Sequence, residues 1–419
     1  MHGLSGDTVQ SAAWTALDAR LDRGGTAPIA VALSGGGDSL CALHLTAAWA
    51  RAHGRPVVAL TVDHGLNPDS TAWTEKACEM ARAVGAAHRA LLWEGEKPLR
   101  GIPAAARMAR HRVLAEAARA LGAKVIVTGH TLSDVAENGV LRAGEAPGMG
   151  RLRGWGPSPV WPQGRGLMLL RPLLALSRAD IRQWLAAQGL SHIDDPANDD
   201  PRQPRARARQ AIGTGPLQIK VAPDLPMHLA AGVITTPDGR LILPAHVIAA
   251  PEATILLTHA LLCVSGGEVP TRREGVEALV QRLRRGEPGP LALGGCRIGR
   301  EGGRAVISRN AGEARRGGLA PIALNFDAET IWDGRFAFAP TTGPATVAPA
   351  QGRMSSLSPA DRTALRDLPP SARAALPVVL SGGTSALPAP FGTGPVAARS
   401  LVRHRFAAST SLIQHERDI

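Results

Sequence analysis

The chain has 419 residues, 44% of them hydrophobic and 20% charged, which is the composition of a soluble globular protein with room for two or three domains. Its 47 basic and 35 acidic residues leave a formal charge of +12, nearly all of the excess arginine, a surplus that suits a polyanionic partner or plain colloidal solubility. No apolar run approaches the roughly 20 residues of a membrane span, and the four scattered cysteines (Cys41, Cys78, Cys263 and Cys296) fit no disulfide framework or zinc site.

With no signal-peptide pattern in MHGLSGDTVQ, the chain reads as cytoplasmic, its thiols reduced and buried. In chain order, IAVAL (29–33) is a short apolar run that stops at glycine, as a buried parallel strand does. A helix follows from Leu40 to Ala52, then the strand VVALTV (57–62), a helix from Ser70 to Val84 and the strand HRALLW (88–93). A helix over Ala104 to Leu121 leads to the strand KVIVTG (124–129). GLMLLRPLL (166–174) supplies a fifth strand before a helix over 177–188 that opens on the capping box SRAD. Strands and helices in strict rotation imply an α/β domain with a mostly parallel, five-stranded, doubly wound sheet.

Past about residue 212 the rotation stops. Short β-like pieces (VITTPDGRLILP, LALGGCRIGR, RAVIS, RFAFAP) and one clear helix (272–285) predict a smaller α+β region. The expected division is 1–212 and 213–419. The Pro-, Thr-, Ala- and Ser-rich stretch 340–360 reads as a linker or loop where the second half could divide again.

Between the first strand and its helix stands SGGGDS: Ser34, Gly35, Gly36, Gly37, Asp38 and Ser39. Glycines at a strand end that opens onto a helix N-terminus make a phosphate cradle, because backbone N–H groups converge there without a Cβ in the way. The loop lacks the lysine of a Walker motif and the GxGxxG of a dinucleotide fold, and has an acid instead. Asp38 makes sense among phosphates if it holds a divalent metal. VVLSGGTS (378–385) imitates the loop, but it lacks the acid and no helix follows, so it reads as a turn.

SGGGDS after a first strand resembles the PP-loop of the N-type ATP pyrophosphatases, which are adenine nucleotide alpha hydrolase-like in fold. Four more segments resemble the tRNA(Ile)-lysidine synthetases of that group. VDHGLNPDSTAWTE places Asp63 and His64 at a strand's carboxyl end. AARMARHR (105–112) sets Arg107 and Arg110 on one helical face. VTGHTLSDVAEN (127–138) sets Asp134 and Glu137 one helical turn apart. RPLL (171–174) followed by IDDPANDDPRQPRARAR (193–209) contributes Arg202, Arg205, Arg207 and Arg209 after a turn built on Asp195, Pro196 and Asn198. Taken singly, each of these segments reads as an ordinary cap, solvated face or acidic first turn. Their pairing in one chain carries the resemblance, which covers 29–210.

The resemblance implies an enzyme that binds ATP through the PP-loop with Asp63 and His64, and Mg²⁺ through Asp38. It also implies that Asp134 and Glu137 recognise L-lysine, that Asp38, Asp134 and Glu137 act catalytically, and that Arg107, Arg110, Arg202, Arg205, Arg207 and Arg209 meet tRNA or phosphate. The implied reaction is ATP-dependent transfer of lysine to the wobble cytidine of a CAU-anticodon isoleucine tRNA. Ser133, Asn138, Ala197, Gln203 and Ala206 depart from the family pattern, and 142–152 matches it poorly. A PP-loop tRNA 2-thiolation enzyme and a non-catalytic tRNA-binding scaffold are the alternatives. The sequence is compatible with a homodimer without compelling one.

Overall fold

The structure, a computed structural model, describes residues 6–65, 69–98, 100–141, 152–194, 204–212, 227–287, 290–316, 318–366 and 368–419. Two units are distinguished: 1–223 together with Ile413–Ile419, and Asp224–Leu412.

The first unit runs α1 (Gly6–Asp18), β1 (Ile29–Ala32), α2 (Gly37–Ala52), β2 (Val57–Asp63), α3 (Ser70–Ala83), β3 (Ala87–Leu92), α4 (Ile102–Ala120), β4 (Val125–Thr128), α5 (Leu132–Leu141), β5 (Trp155–Pro157), β6 (Met168–Leu170), α6 (Arg178–Ala187) and α7 (Pro204–Ile212). The sheet has the order β3-β2-β1-β4-β6-β5. All neighbours are parallel except the β5–β6 pair. The expected parallel sheet of five strands is therefore present, with one correction: a sixth, antiparallel strand closes its edge. A three-residue segment, Trp-Gly-Pro, is too short to show any periodicity in sequence.

The strand sequences explain their places. β1, β4 and β6 are apolar and buried because helices cover both faces. The edge strand β3, AHRALL, carries His and Arg and is largely exposed. One face is sealed by Leu114, Ala115 and Ala118 of α4 against Ala30, Val58, Leu60 and Ile126. α2 buries Leu40, Leu43, Leu45 and Trp49, each large aliphatic side chain contributing roughly 1.5–3 kcal/mol on burial. The chain leaves β1 toward β2 and β3, then returns to place β4 on the other flank of β1. The carboxyl ends of β1 and β4 thus form the switch point where α/β sheets bind ligands.

The last seven residues return to this unit. Arg55 donates to Glu416 through Nη1 (2.6 Å) and Nη2 (2.8 Å), and to the carbonyls of Asp22 and Ala27. Trp155 Nε1 donates to Ile413 O at 2.8 Å.

The second unit has two cores. A five-stranded antiparallel sheet built from Ile234–Thr235, Leu241–Leu243, Arg304–Arg309, Cys296–Glu301 and Leu291–Leu293 packs on helices Ala253–Ser265, Arg273–Arg284 and Val402–Ser409. A second core gathers residues between Leu319 and Ala398 around two four-stranded sheets. The stretch 340–360 contains the strand Thr346–Pro349, buried over Val347–Pro349 and paired with Pro377–Ser381, so it is not a linker. Composition misled there because Pro349 lies at the strand's last position, where a missing N–H costs little. The two cores divide near residue 310 instead. VVLSGGTS is a hairpin whose turn is Gly382 and Gly383, both with positive φ.

Candidate active site

The glycine loop begins where β1 ends. Gly35 has φ +83°, and a Cβ there would lie 2.4 Å from Ile193 Cδ1, so both conformation and space require glycine. Ser39, buried in the first turn of α2, donates to Gly36 O at 2.9 Å and accepts from Ser34 N at 3.2 Å. Its hydroxyl lies 3.1 Å from that of Ser34. The helix N-cap is Gly36 and no side chain caps it, which leaves the opening N–H groups of α2 for a ligand. Gly129, at the end of β4, lets that strand approach the loop: a Cβ there would stand 2.5 Å from Asp38 O.

Asp38, Asp134 and Glu137 converge on one guanidinium. Arg178 Nε is 3.1 Å from Asp38 Oδ2, its Nη1 3.0 Å from Glu137 Oε1, and its Nη2 3.4 Å from Asp134 Oδ1. Arg209 Nε reaches the same Glu137 oxygen at 3.0 Å, and Arg205 Nη1 stands 3.9 Å from Asp134. Asp134 Oδ2 accepts from Thr131 N (2.8 Å) and Thr131 Oγ1 (3.0 Å). The other Glu137 oxygen, Oε2, is buried with no hydrogen-bond partner among the described residues. A buried acceptor of this kind suits a donor brought by a ligand.

The three acids differ electrostatically. Burial raises the Asp38 pKa above the usual carboxylate range, against the pull of Arg178. Asp134 is held low although burial opposes it, because the Thr131 N–H, Arg178 and the Thr131 hydroxyl favour its charged form. Arg178 is pushed up by Asp38, Glu137 and Asp134, which together outweigh its own desolvation.

A cationic flank lies next to these acids. Arg110 of α4 and Arg171 after β6 are both pushed down to about 10, by burial and then by Arg107. Burial and the same arginines push His111 and His130 down to about 3, so both rings are neutral. Arg171 Nε and His111 Nε2 are buried without hydrogen-bond partners among the described residues. Such a cluster of mutually repelling cations suits an anion.

Arg205 and Arg209 are four residues apart on α7 and turn to the acids, whereas Arg207 is exposed on the opposite face. Arg107 is exposed and Arg110 half-buried. Arg202 and the turn at Asp195, Pro196 and Asn198 lie outside the described residues, as does nearly all of 142–152. Asp63 Oδ1 accepts from Gly65 N at 2.7 Å beside His64 at the end of β2. Of the departures from the pattern, Ser133 Oγ accepts from Arg178 N (3.2 Å) and Asn138 Nδ2 donates to Asp134 O (2.9 Å), so both replacements serve the acid cluster.

Arg178, Arg171, His111 and His130 were not singled out by sequence reasoning. The signal for Arg178 was its position. It follows the N-cap Ser177, and a cation in the first helical turn opposes the helix dipole unless acids face it.

No group of three or more His, Cys, Asp or Glu side chains among the described residues forms a metal cage. Mg²⁺ seldom needs one, since one or two carboxylates with substrate phosphates and waters suffice, and Asp38 at the cradle fits that role.

Comparison with known proteins matches residues 11–215 to the PP-loop domain family ATP_bind_3. The chain is 46% identical over 414 residues to the tRNA(Ile)-lysidine synthase of Caulobacter vibrioides, covering 96% of this chain and 97% of that one. It belongs to the tRNA(Ile)-lysidine synthase family. The tRNA(Ile)-lysidine synthase of Rhizobium meliloti is 36% identical, with 78% of this chain and 76% of that one covered. The corresponding Hyphomonas neptunium protein is 35% identical over 69% of this chain and 83% of its own length.

Proposed function

We propose that the chain is a carbon–nitrogen ligase that joins L-lysine to C2 of the wobble cytidine of a CAU-anticodon isoleucine tRNA, consuming ATP. The observation that carries this reading is the convergence of Asp38, Asp134 and Glu137 on Arg178 beside the glycine loop, with Glu137 Oε2 left unpaired. Family membership at near full length supports it.

The chemistry follows in two steps. The cytidine O2 is a poor leaving group, so it first attacks the α-phosphorus of ATP and pyrophosphate departs. The lysine ε-amine, having shed its proton, then adds to C2, and AMP leaves with the former O2. The loop Ser34–Ser39, with the open N–H groups of α2, holds the phosphates of ATP, and Asp63 and His64 meet the nucleoside part of the same ligand. Asp38 would hold Mg²⁺, which supplies charge neutralisation for the departing pyrophosphate. Asp134 and Glu137 take the lysine ammonium, while the flank of Arg107, Arg110 and Arg171 faces phosphate. The base must leave its stack to reach the cleft, as is usual for single-stranded RNA recognition.

The catalytic work is assigned to residues 1–212 and further grip on the RNA to the arginine-bearing region from 213, in a cytoplasmic enzyme. No helix among the described residues is long and apolar enough to cross a membrane. Because one chain supplies every acid of the cluster, a homodimer is not needed to complete the site.

The thiolation alternative is disfavoured because the four cysteines are scattered with no CxxC pair, and three of them are buried while Cys78 is half-buried in α3. Cys41 is buried behind the loop, with its thiol held well above the usual range by burial and then by Asp38. Cys263 and Cys296 are pushed up to about 11 and about 12 by burial, so neither is a ready thiolate.

The deciding experiment is incorporation of radiolabelled lysine into a CAU-anticodon isoleucine tRNA transcript with ATP and Mg²⁺, for wild type and Asp38→Ala. ATP-dependent incorporation that Asp38→Ala abolishes supports both the reaction and the loop's role. Release of AMP and pyrophosphate without lysine transfer would retain adenylation and overturn the nucleophile. Neither product would leave the scaffold alternative.

A further inference from the structure

At the carboxyl end of edge strand β3, next to Asp63 and His64, stand two side chains, Trp93 and Lys97, that the site described above does not use. Trp93 N donates to Asp63 O at 2.8 Å, which fixes the Trp93 backbone at the end of β2. Its ring is half-buried, and the His64 ring stands perpendicular to it with centroids 5.9 Å apart. Lys97 Nζ lies 4.6 Å from the Trp93 ring centroid and donates to Gly95 O at 3.1 Å and to Trp93 O, so its ammonium is anchored over the aromatic system. His64 Nδ1 is buried and has no hydrogen-bond partner among the described residues.

A flat aromatic surface, a hydrogen-bonding group without a partner and a fixed cation are what a base with its phosphate requires. The base stacks, the imidazole meets a base or sugar edge, and the ammonium donates to a base acceptor or, in RNA, faces the phosphate adjoining that base. Aromatic side chains are scarce here, with five Phe, no Tyr and eight Trp in 419 residues. Within the first unit Trp49, Trp155, Trp161 and Trp184 are buried core residues, Trp14 is tied by its Nε1 to Leu45 O, and Trp73 is half-buried in the first turn of α3. Trp93 instead occupies the ligand-binding edge of the sheet. β3 is two strands from β1, roughly 9–10 Å away, a span that a nucleoside bridges when its phosphates rest on the glycine loop.

We propose that Trp93, with His64 and Lys97, forms a stacking site for a nucleobase. The adenine of ATP and an unpaired base of the RNA offer this same chemistry, and the test separates them. The inference rests on the reading that Asp63 and His64 face nucleotide, but it concerns binding and needs no turnover.

The test compares wild type, Trp93→Phe and Trp93→Ala in calorimetric titrations with ATP and, separately, with a CAU-anticodon stem–loop RNA. Tryptophan fluorescence is recorded alongside. Trp93→Ala is expected to weaken one of the two ligands roughly ten-fold, equivalent to about 1.4 kcal/mol. Trp93→Phe, which keeps a stacking face, should stay within about three-fold of wild type while losing the ligand-induced quench. Weakened ATP identifies the base as adenine, and weakened stem–loop identifies an RNA base. If a folded Trp93→Ala binds both within two-fold of wild type, the site is wrong. Should that variant fail to fold, Trp93→Phe still decides, since an undiminished quench for both ligands means that no base meets Trp93. Absence of lysine transfer by a wild type that still shows the Trp93-dependent quench would count against the proposed reaction and leave the stacking site standing.

Discussion

Arg178 Nε and Asp38 Oδ2 are 3.1 Å apart, although 140 positions separate them in the chain. The contact ties the first turn of α6 to the first turn of α2. Because the same guanidinium also reaches Asp134 and Glu137 on α5, one side chain holds three helix starts around the switch point of the sheet.

Removing that cation is therefore expected to cost stability as well as activity. Arg178→Met would leave Asp134 and Glu137 to Arg205 and Arg209, and Asp38 to the more distant charge of Arg182, and breaking a largely buried pair costs about 2–4 kcal/mol where some solvent remains. Arg178→Lys should recover only part of the loss, since an ammonium cannot span three partners as a planar guanidinium does. Urea unfolding followed by tryptophan fluorescence measures this in the first unit, which holds seven of the eight tryptophans. Equal midpoints for wild type and Arg178→Met would refute the bridging role.

Asp38→Asn is expected to behave in the opposite way. The folded pKa of Asp38 is raised, with burial the largest cause, so the carboxyl favours the fold in its protonated form. That contribution is complete below the unfolded value near 3.8 and is lost as pH rises through the folded pKa. The asparagine variant loses this penalty while keeping the side chain's shape. It should be at least as stable as wild type at pH 7 and lose 100-fold or more in ATP-dependent lysine transfer. A variant that is both less stable and fully active would contradict both halves.

Glu137→Gln tests the amino-acid subsite. It preserves volume and removes the charge whose Oε2 is buried without a partner. The KM for lysine is expected to rise about ten- to a hundred-fold, the scale of a lost charge-assisted hydrogen bond, with the KM for ATP changed less than three-fold. A rise in the ATP value alone would reassign Glu137 to the nucleotide.

Much of the first unit was legible in the sequence because buried parallel strands are apolar runs that end at glycine or a polar residue, as Ile29–Ala32 and Val125–Thr128 do. The loop was legible because Gly35 and Gly36 precede an acid and a helix. Helix Ala253–Ser265 was missed because ATILLTHALLCVS is apolar on nearly every face, and a helix buried all round has no 3.6-residue alternation to detect. Arg178 was hidden because Ser177 and Asp180 make a sound capping box, which accounts for SRAD without any need of the arginine between them. In sequence Arg205, Arg207 and Arg209 form one alternating basic run, all three expected to meet tRNA or phosphate. Helical geometry splits them instead, turning Arg205 and Arg209 to the acids and Arg207 away. The return of the chain's last residues could not be read at all, since nothing local marks two charges 361 positions apart as partners.

That return predicts that the first unit depends on residues at the far end of the chain. The Arg55 and Glu416 side chains are 0% and 4% exposed, and Arg55 makes two bonds to the carboxylate. Glu416→Ala leaves a guanidinium buried with only the carbonyls of Asp22 and Ala27, and an uncompensated buried charge costs about 3–5 kcal/mol. Arg55→Met removes the opposite charge and fits the same cavity with an apolar chain. The double variant Arg55→Met, Glu416→Ala is therefore expected to be more stable than Glu416→Ala alone, because it no longer buries an unpaired cation. Tryptophan-monitored urea unfolding of wild type, both single variants and the double variant closes the cycle. A coupling below about 0.5 kcal/mol, the limit within which independent sites add, would show that the tail's hold rests on its backbone contacts, such as Trp155 Nε1 to Ile413 O, and not on the buried pair.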